Sequence, residues 1–375
     1  MRFQTLCRPI ISLLLVSMSV CTAYGQLTST PSGTDGLAIQ LDYESANAIT
    51  GLLTQNQVTD AELERIARLF GSQQLIKKVS GYDQSGTEAV FKQTLREVVQ
   101  TGTVKGHDPY DWKSVKANAG EVRQLIRQLE AKSTFTDDVK ALIRPYTPNQ
   151  IKASVRACFL VGGGALGFVL GDPNTFNLAL QKIGDDYEGL VYLVAHELYH
   201  SVQGIGDKNR VKQKSTSPPP KPIVNAYVML ENLWGEGSAN LVADFTKINA
   251  PKSFAKSQRE GYQRNGNRAR QNFALFESLL FSAYHDSTAN LNELYNIGFT
   301  LAFDETAYDT GYRMAKVIEK YKGQQALARC ISEGPIPFCE LYLTVCKENP
   351  GEQLIRFSRS TEAIVDKVKV WKDYL

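Results

Sequence analysis

The sequence predicts an α+β fold that is predominantly α-helical, with a small β-hairpin or sheet packed beside one strongly apolar helix. Three observations lead there. Apolar residues recur at spacings of three and four through most of the 375 residues. Two short runs, Ala157–Val161 and Thr175–Leu180, have strand character and sit close together. Soon after them comes Val191-Tyr-Leu-Val-Ala-His-Glu-Leu-Tyr-His-Ser-Val-Gln203, apolar enough on most sides to be a buried helix.

In chain order, Arg2 and Arg8 precede the apolar stretch Ile10–Val20 and the small residues around Ala23 and Gly25. That pattern is a secretory signal peptide over residues 1–25, so the protein is expected to be secreted or periplasmic. Cys21 would permit a lipid anchor, but Ser19 and Val20 before it do not suit such a site. Losing two arginines and no acid takes the formal net charge from +3 to +1, a balance that points to no charged partner. No later run approaches the roughly 18 apolar residues of a membrane span.

After a Ser/Thr/Pro/Gly-rich lead, residues 26–150 read as successive amphipathic helices. Thr59-Asp-Ala-Glu62 is a capping box opening a helix through Phe70. Helical spacing continues over Thr87–Gln100 and Val115–Ala131, then Asp137–Arg144 before Pro145. Residues 151–375 carry the two strands and the apolar helix, and no sharp boundary separates them from 26–150, so one continuous globular unit is expected. Gly162–Gly167 formally matches G-x-G-x-x-G, but Gly171 and Pro173 leave no room for the helix a dinucleotide site needs. A glycine-rich strand edge open to a substrate backbone is the expected use.

Asp207–Pro222 is polar, basic and proline-rich, an exposed loop without the interleaved aromatics of a nucleic-acid surface. Helices then follow over Val224–Ile248, Phe273–Tyr284 and Thr310–Tyr321, from Gly323, and over Phe338–Val345. Cys158, Cys330, Cys339 and Cys346 permit two disulfides in an oxidising compartment, with Cys330 and Cys339 the favoured pair across Gly334–Pro337, or equally four buried thiols.

The chemistry lies in His196-Glu197-Leu198-Tyr199-His200. Residues four apart share a helix face, so His196 and His200 can hold one metal ion between them. Glu197 sits about 100° further round, beside the ion, where it can take a proton from an attacking water. With four histidines in the chain, a chance H-E-x-x-H has a probability on the order of 1% or less. Catalytic zinc usually takes three protein ligands. Glu236 is the expected third, because Gly237-Ser238-Ala239 would let its helix pack closely against the histidine helix. Glu231 is its competitor. His107, in a turn, and His285, at a helix end, are expected at the surface.

H-E-L-Y-H at 196–200 with E-G-S-A at 236–239 resembles the gluzincin zinc peptidases, the thermolysin-like group, and looks closest to secreted zinc-dependent peptidases with an E-G-x-A segment. The likeness extends loosely over Cys158 to Glu340. It implies a gluzincin-like catalytic core holding one Zn²⁺ on His196, His200 and Glu236, with Glu197 as general base. One departure is present: where the thermolysin pattern has an aspartate four residues after the glutamate, this chain has Asn240, and Asp244 comes a further turn on. The reaction so implied is peptide hydrolysis by zinc-activated water, on a peptide or protein substrate. A non-catalytic zinc protein of the same fold is the alternative. A second donor to the oxyanion is needed. Tyr312, Tyr308 and His285 qualify by type, and Tyr312 is preferred because the Gly311-Tyr312 pair begins a helix within the resemblance.

Overall fold

The first strand among the described residues is one that the sequence reading passed over. In the computed structural model, which describes residues 36–170, 172, 174–213 and 217–375, Leu37–Asp42 (β1) pairs in parallel with Ala153–Leu160 (β2). The apolar residues Leu37, Ile39 and Leu41 of β1 alternate with Ala38, Gln40 and Asp42, but the run is short and its partner lies beyond six helices. Gly167–Val169 (β3) runs antiparallel to Thr175–Ala179 (β4), and β4 lies parallel to β2. The result is the expected small sheet, four-stranded and mixed, in the order β1-β2-β4-β3 with β3 at one edge. Gly162 and Gly163, at φ 113° and 71°, turn the chain out of β2 in a conformation that favours glycine. No helix follows them; β3 does.

Six helices fill the interval between β1 and β2: Glu44–Leu52 (α1), Asp60–Ala67 (α2), Phe70–Ser80 (α3), Glu88–Thr101 (α4), Trp112–Ala131 (α5) and Phe135–Ile143 (α6). The capping box forms as expected. The Thr59 hydroxyl accepts from the Glu62 amide at 3.2 Å, and the Glu62 carboxylate accepts from the Thr59 amide at 2.8 Å. The helix it opens stops at Ala67 and does not reach Phe70, which starts α3.

Beyond the sheet, Tyr187–Asn209 (α7) carries the two motif histidines. It is apolar on most sides because it crosses the interior: Leu190, Val194, Ala195, Leu198 and Val202 are fully buried. Asp186 starts it. One of its carboxylate oxygens accepts from the Gly189 amide at 2.8 Å, and the other accepts from the Ala255 amide at 2.8 Å, in Ser253–Asn267 (α9). Since α7 runs to Asn209, the expected loop begins later than Asp207.

Lys221–Val242 (α8) returns antiparallel to α7, with Gln203 facing Gly235 and Arg210 facing Tyr227. Ala269–His285 (α10), Leu291–Phe299 (α11) and Thr306–Lys322 (α12) follow. Gln324–Glu333 (α13), Pro335–Glu348 (α14) and Arg359–Lys369 (α15) complete the order.

α8 and α12 cross backbone to backbone. A Cβ added to Gly237 would overlap Gly311 and lie 2.7 Å from the Tyr312 nitrogen; one added to Gly311 would overlap the Leu233 carbonyl. The small residues after Glu236 therefore admit α12, not the histidine helix as the sequence reading supposed.

Among the described residues, buried apolar side chains form one connected cluster from Leu37 to Val368, so the core runs across the expected 150/151 division. The favoured Cys330–Cys339 disulfide is absent: all four of these cysteines are buried free thiols. No helix among the described residues is long and apolar enough to cross a membrane. The expected signal peptide and Cys21 lie outside them.

Candidate metal centre

The i, i+4 spacing on α7 puts both imidazoles on the face turned toward α8, as helix geometry requires. His196 Nε2 and His200 Nε2 stand 3.1 Å apart. Glu236 Oε2, on α8, lies 3.4 Å from the first and 3.2 Å from the second. His196, His200 and Glu236 are the one such group of His, Cys, Asp or Glu side chains converging among the described residues. Two ligands each about 2.0–2.1 Å from a tetrahedral zinc stand ~3.3 Å apart, so the three separations describe one face of such a tetrahedron.

Glu236 Oε2 is buried yet finds no hydrogen-bond donor in good alignment, although two imidazoles flank it. An orphaned carboxylate oxygen in the interior is costly, and a cation among the three atoms would satisfy it. Burial alone would push the Glu236 carboxyl up, but His200 and His196 outweigh it and hold the group well below the usual carboxylate range. Burial opposes charge on His200 too, and Glu236 overrides it, lifting that imidazole to about 9. Each reports a site built for opposite charges.

Glu231, the competing acid, turns elsewhere. Burial and Asp207 raise its carboxyl to about 7, against the pull of Arg210 and Lys212, and it takes no part in the histidine cluster. Neither Asn240 nor Asp244 hydrogen-bonds to the histidine rings, although Asn240 lines the cavity beside His196. Asp244 is fully buried, accepts from the Thr246 amide at 3.1 Å and lies 3.5 Å from the Lys316 ammonium.

Gln203 is the residue that orients His200, and the sequence reading missed it. Its Oε1 sits 3.0 Å from His200 Nδ1, and its Nε2 donates to the Gly235 carbonyl at 3.1 Å. One side chain thus fixes the ring on α7 and ties it to the helix carrying Glu236. The available signal was its place three residues after His200, on the same face.

Glu197 lines a cavity of about 200 Å³ together with His196, and its charge acts on His200. One carboxylate oxygen of Glu197 comes within 3.8 Å of where a Cβ on Gly167 would be, so edge strand β3 passes beside it with no side chain between. Tyr308 and Tyr312, from α12, form part of the opposite wall. The Tyr312 hydroxyl accepts from the Lys316 ammonium at 3.0 Å. The Tyr308 hydroxyl is buried without a hydrogen-bond partner, and burial together with the Glu236 charge keeps it protonated far above the usual phenol range. His107 pairs with Asp83 at 2.5 Å and His285 is exposed at the end of α10; neither reaches the cluster.

Two imidazole nitrogens and one carboxylate oxygen are a donor set that fits zinc. The chain belongs to the family described as "Putative zinc dependent peptidase (DUF5700)", which matches residues 63–351. Neither a curated protein nor a solved structure matches it.

Proposed function

We propose that the protein is an exported zinc peptidase of gluzincin type, in which His196, His200 and Glu236 hold a single zinc ion and Glu197 is the general base. The observation that carries this reading is the convergence of the three donor atoms at tetrahedral spacing around a carboxylate oxygen that no hydrogen bond satisfies. Bound there, zinc would polarise a scissile carbonyl and acidify the attacking water.

The chain's own groups supply the rest. Glu197, open to the cavity, accepts the water's proton and returns it to the departing amine. Gln203 keeps His200 in one tautomer and one orientation. Edge strand β3 offers unpaired backbone groups on which an extended peptide can lie as an added strand beside Glu197. For the oxyanion donor, the geometry favours Tyr308 over Tyr312, since its hydroxyl is protonated, unengaged and close to Glu236, whereas Lys316 occupies that of Tyr312. We read the two expected regions, 26–150 and 151–375, as one unit; the β1–β2 pairing and the shared core among the described residues support that reading.

The test is metal content and peptide turnover on three proteins. Wild type should hold about one zinc and cleave peptides. Glu197→Gln should keep the zinc and lose about 10²–10⁴-fold in turnover. Glu236→Ala should lose the zinc. Zinc-loaded wild type as inert as Glu197→Gln across broad peptide libraries would leave a binding protein in place of an enzyme.

A further inference from the structure

The cavity beside the metal centre holds an acid for which the fold has no use. Glu305 lines it together with His196 and Glu197. The other two acids of that stretch are committed: Asp304 pairs with Arg268 at 2.9 Å, while Asp309 pairs with Arg313 at 2.9 Å and accepts from Asn272 at 3.0 Å. The Glu305 carboxylate makes no ion pair or hydrogen bond with any described residue. The charges acting on it are Glu236 and Asp304, both acids, and Arg264, the one Lys or Arg lining the cavity, makes no pair with it. Burial desolvates Glu305, and it lines the cavity.

The backbone is held unusually to put it there. Asp304 and Glu305 have φ of 58° and 52°, two successive left-handed residues that are not glycine. Such conformations cost about 1–3 kcal/mol each and persist where the surroundings impose them. Here Asn265 imposes this one, donating to the Asp304 carbonyl at 2.9 Å, while the Glu305 amide donates to the Thr300 carbonyl at 3.0 Å. Burial and the two neighbouring acids push the Glu305 carboxyl up to about 7, the behaviour of an anion lacking its counter-charge.

We propose that Glu305 is the substrate anchor of the cavity, a carboxylate that binds a cationic group of the peptide beside the reaction centre. This deepens the peptidase reading and rests on it. Two sources could supply the cation, a free α-amino group or a basic side chain. The cavity, at about 200 Å³, is smaller than the roughly 300–1,000 Å³ of pockets that enclose drug-sized ligands, and takes only a residue or two. That size favours a chain end, and hence removal of residues from a free N-terminus.

Calorimetric titration decides it without turnover, using zinc-loaded Glu197→Gln protein with and without Glu305→Gln. The probes are L-alaninamide, which carries only an α-ammonium; N-acetyl-L-lysinamide, which carries only a side-chain ammonium; and neutral N-acetyl-L-alaninamide. L-Alaninamide should bind at least about tenfold more tightly than its acetylated form, and Glu305→Gln should abolish that preference without lowering the melting temperature. A Glu305-dependent preference for the lysine probe supports the anchor and assigns the cation to a side chain. The anchor is overturned if neither cation outbinds the neutral probe, or if the preference survives in Glu305→Gln. Peptide cleavage by wild type, measured separately, tells failure of the anchor from failure of the peptidase reading.

Discussion

Replacing Gly311 by alanine should unseat the metal centre from a position that touches neither the histidines nor the cavity. The new methyl would overlap the Leu233 carbonyl, which is helix backbone and cannot rotate aside as a side chain can. Overpacked cores typically lose 1–3 kcal/mol, and a clash with backbone belongs at the top of that range, about 3 kcal/mol. At about 2–4 °C per kcal/mol for domains of 150–250 residues, and somewhat less for a longer chain, the melting temperature falls by about 5–10 °C. The strain also has a direction. Leu233 lies one turn before Glu236, so moving α8 off α12 displaces the carboxylate from the imidazoles, and zinc affinity should drop with stability. Gly235→Ala is the control, since a Cβ there meets nothing within 4 Å, and it should be neutral or stabilising. Thermal melts and zinc titration read both variants. Wild-type melting and zinc content in Gly311→Ala, or equal damage from Gly235→Ala, would refute the reasoning.

Three further outcomes are expected. Gln203→Leu should weaken zinc binding about 10–100-fold, measured by competition with a chromophoric chelator, because His200 loses its tether to Gly235. Tyr308→Phe should lower kcat by about 10²–10³ with zinc retained, whereas Tyr312→Phe should cost far less; the reverse order returns the oxyanion role to Tyr312. Glu231 titrates near 7 in the fold against 4.5 ordinarily, so its contribution is fully present below about 4.5 and is lost as pH rises through 7. Glu231→Gln should therefore flatten that loss and stabilise the protein at pH 8 by up to about 3 kcal/mol relative to wild type, seen in denaturant melts at pH 5 and pH 8.

What was legible in the sequence followed from local rules. The period of α4 and α5, the Thr59 capping box and the shared face of His196 and His200 each depend on residues within a turn or two. β1 was passed over although Leu37, Ile39 and Leu41 alternate with Ala38, Gln40 and Asp42, because six residues are few and its stabilising partner, β2, lies far along the chain. Glu236 could be singled out by the small residues after it, yet the helix they admit was misassigned, since spacing says that something approaches but not what. Tyr308 and Tyr312 are alike as residue types; only the location of Lys316 and of the Glu236 carboxylate separates them. Glu305 looked like an ordinary acid ahead of a helix, because its left-handed backbone is imposed by Asn265 from another element.

One wall of the cavity comes from α9, and that helix is fastened at both extremities: Asp186 grips its first turn at Ala255, and Asn265 near its last turn grips the Asp304 carbonyl. A wall clamped top and bottom cannot swing out to welcome a bulkier guest. On the peptidase reading, the opening would work as a fixed gauge, turning away what is too large instead of reshaping around it, with the range of molecules admitted set when the chain folds.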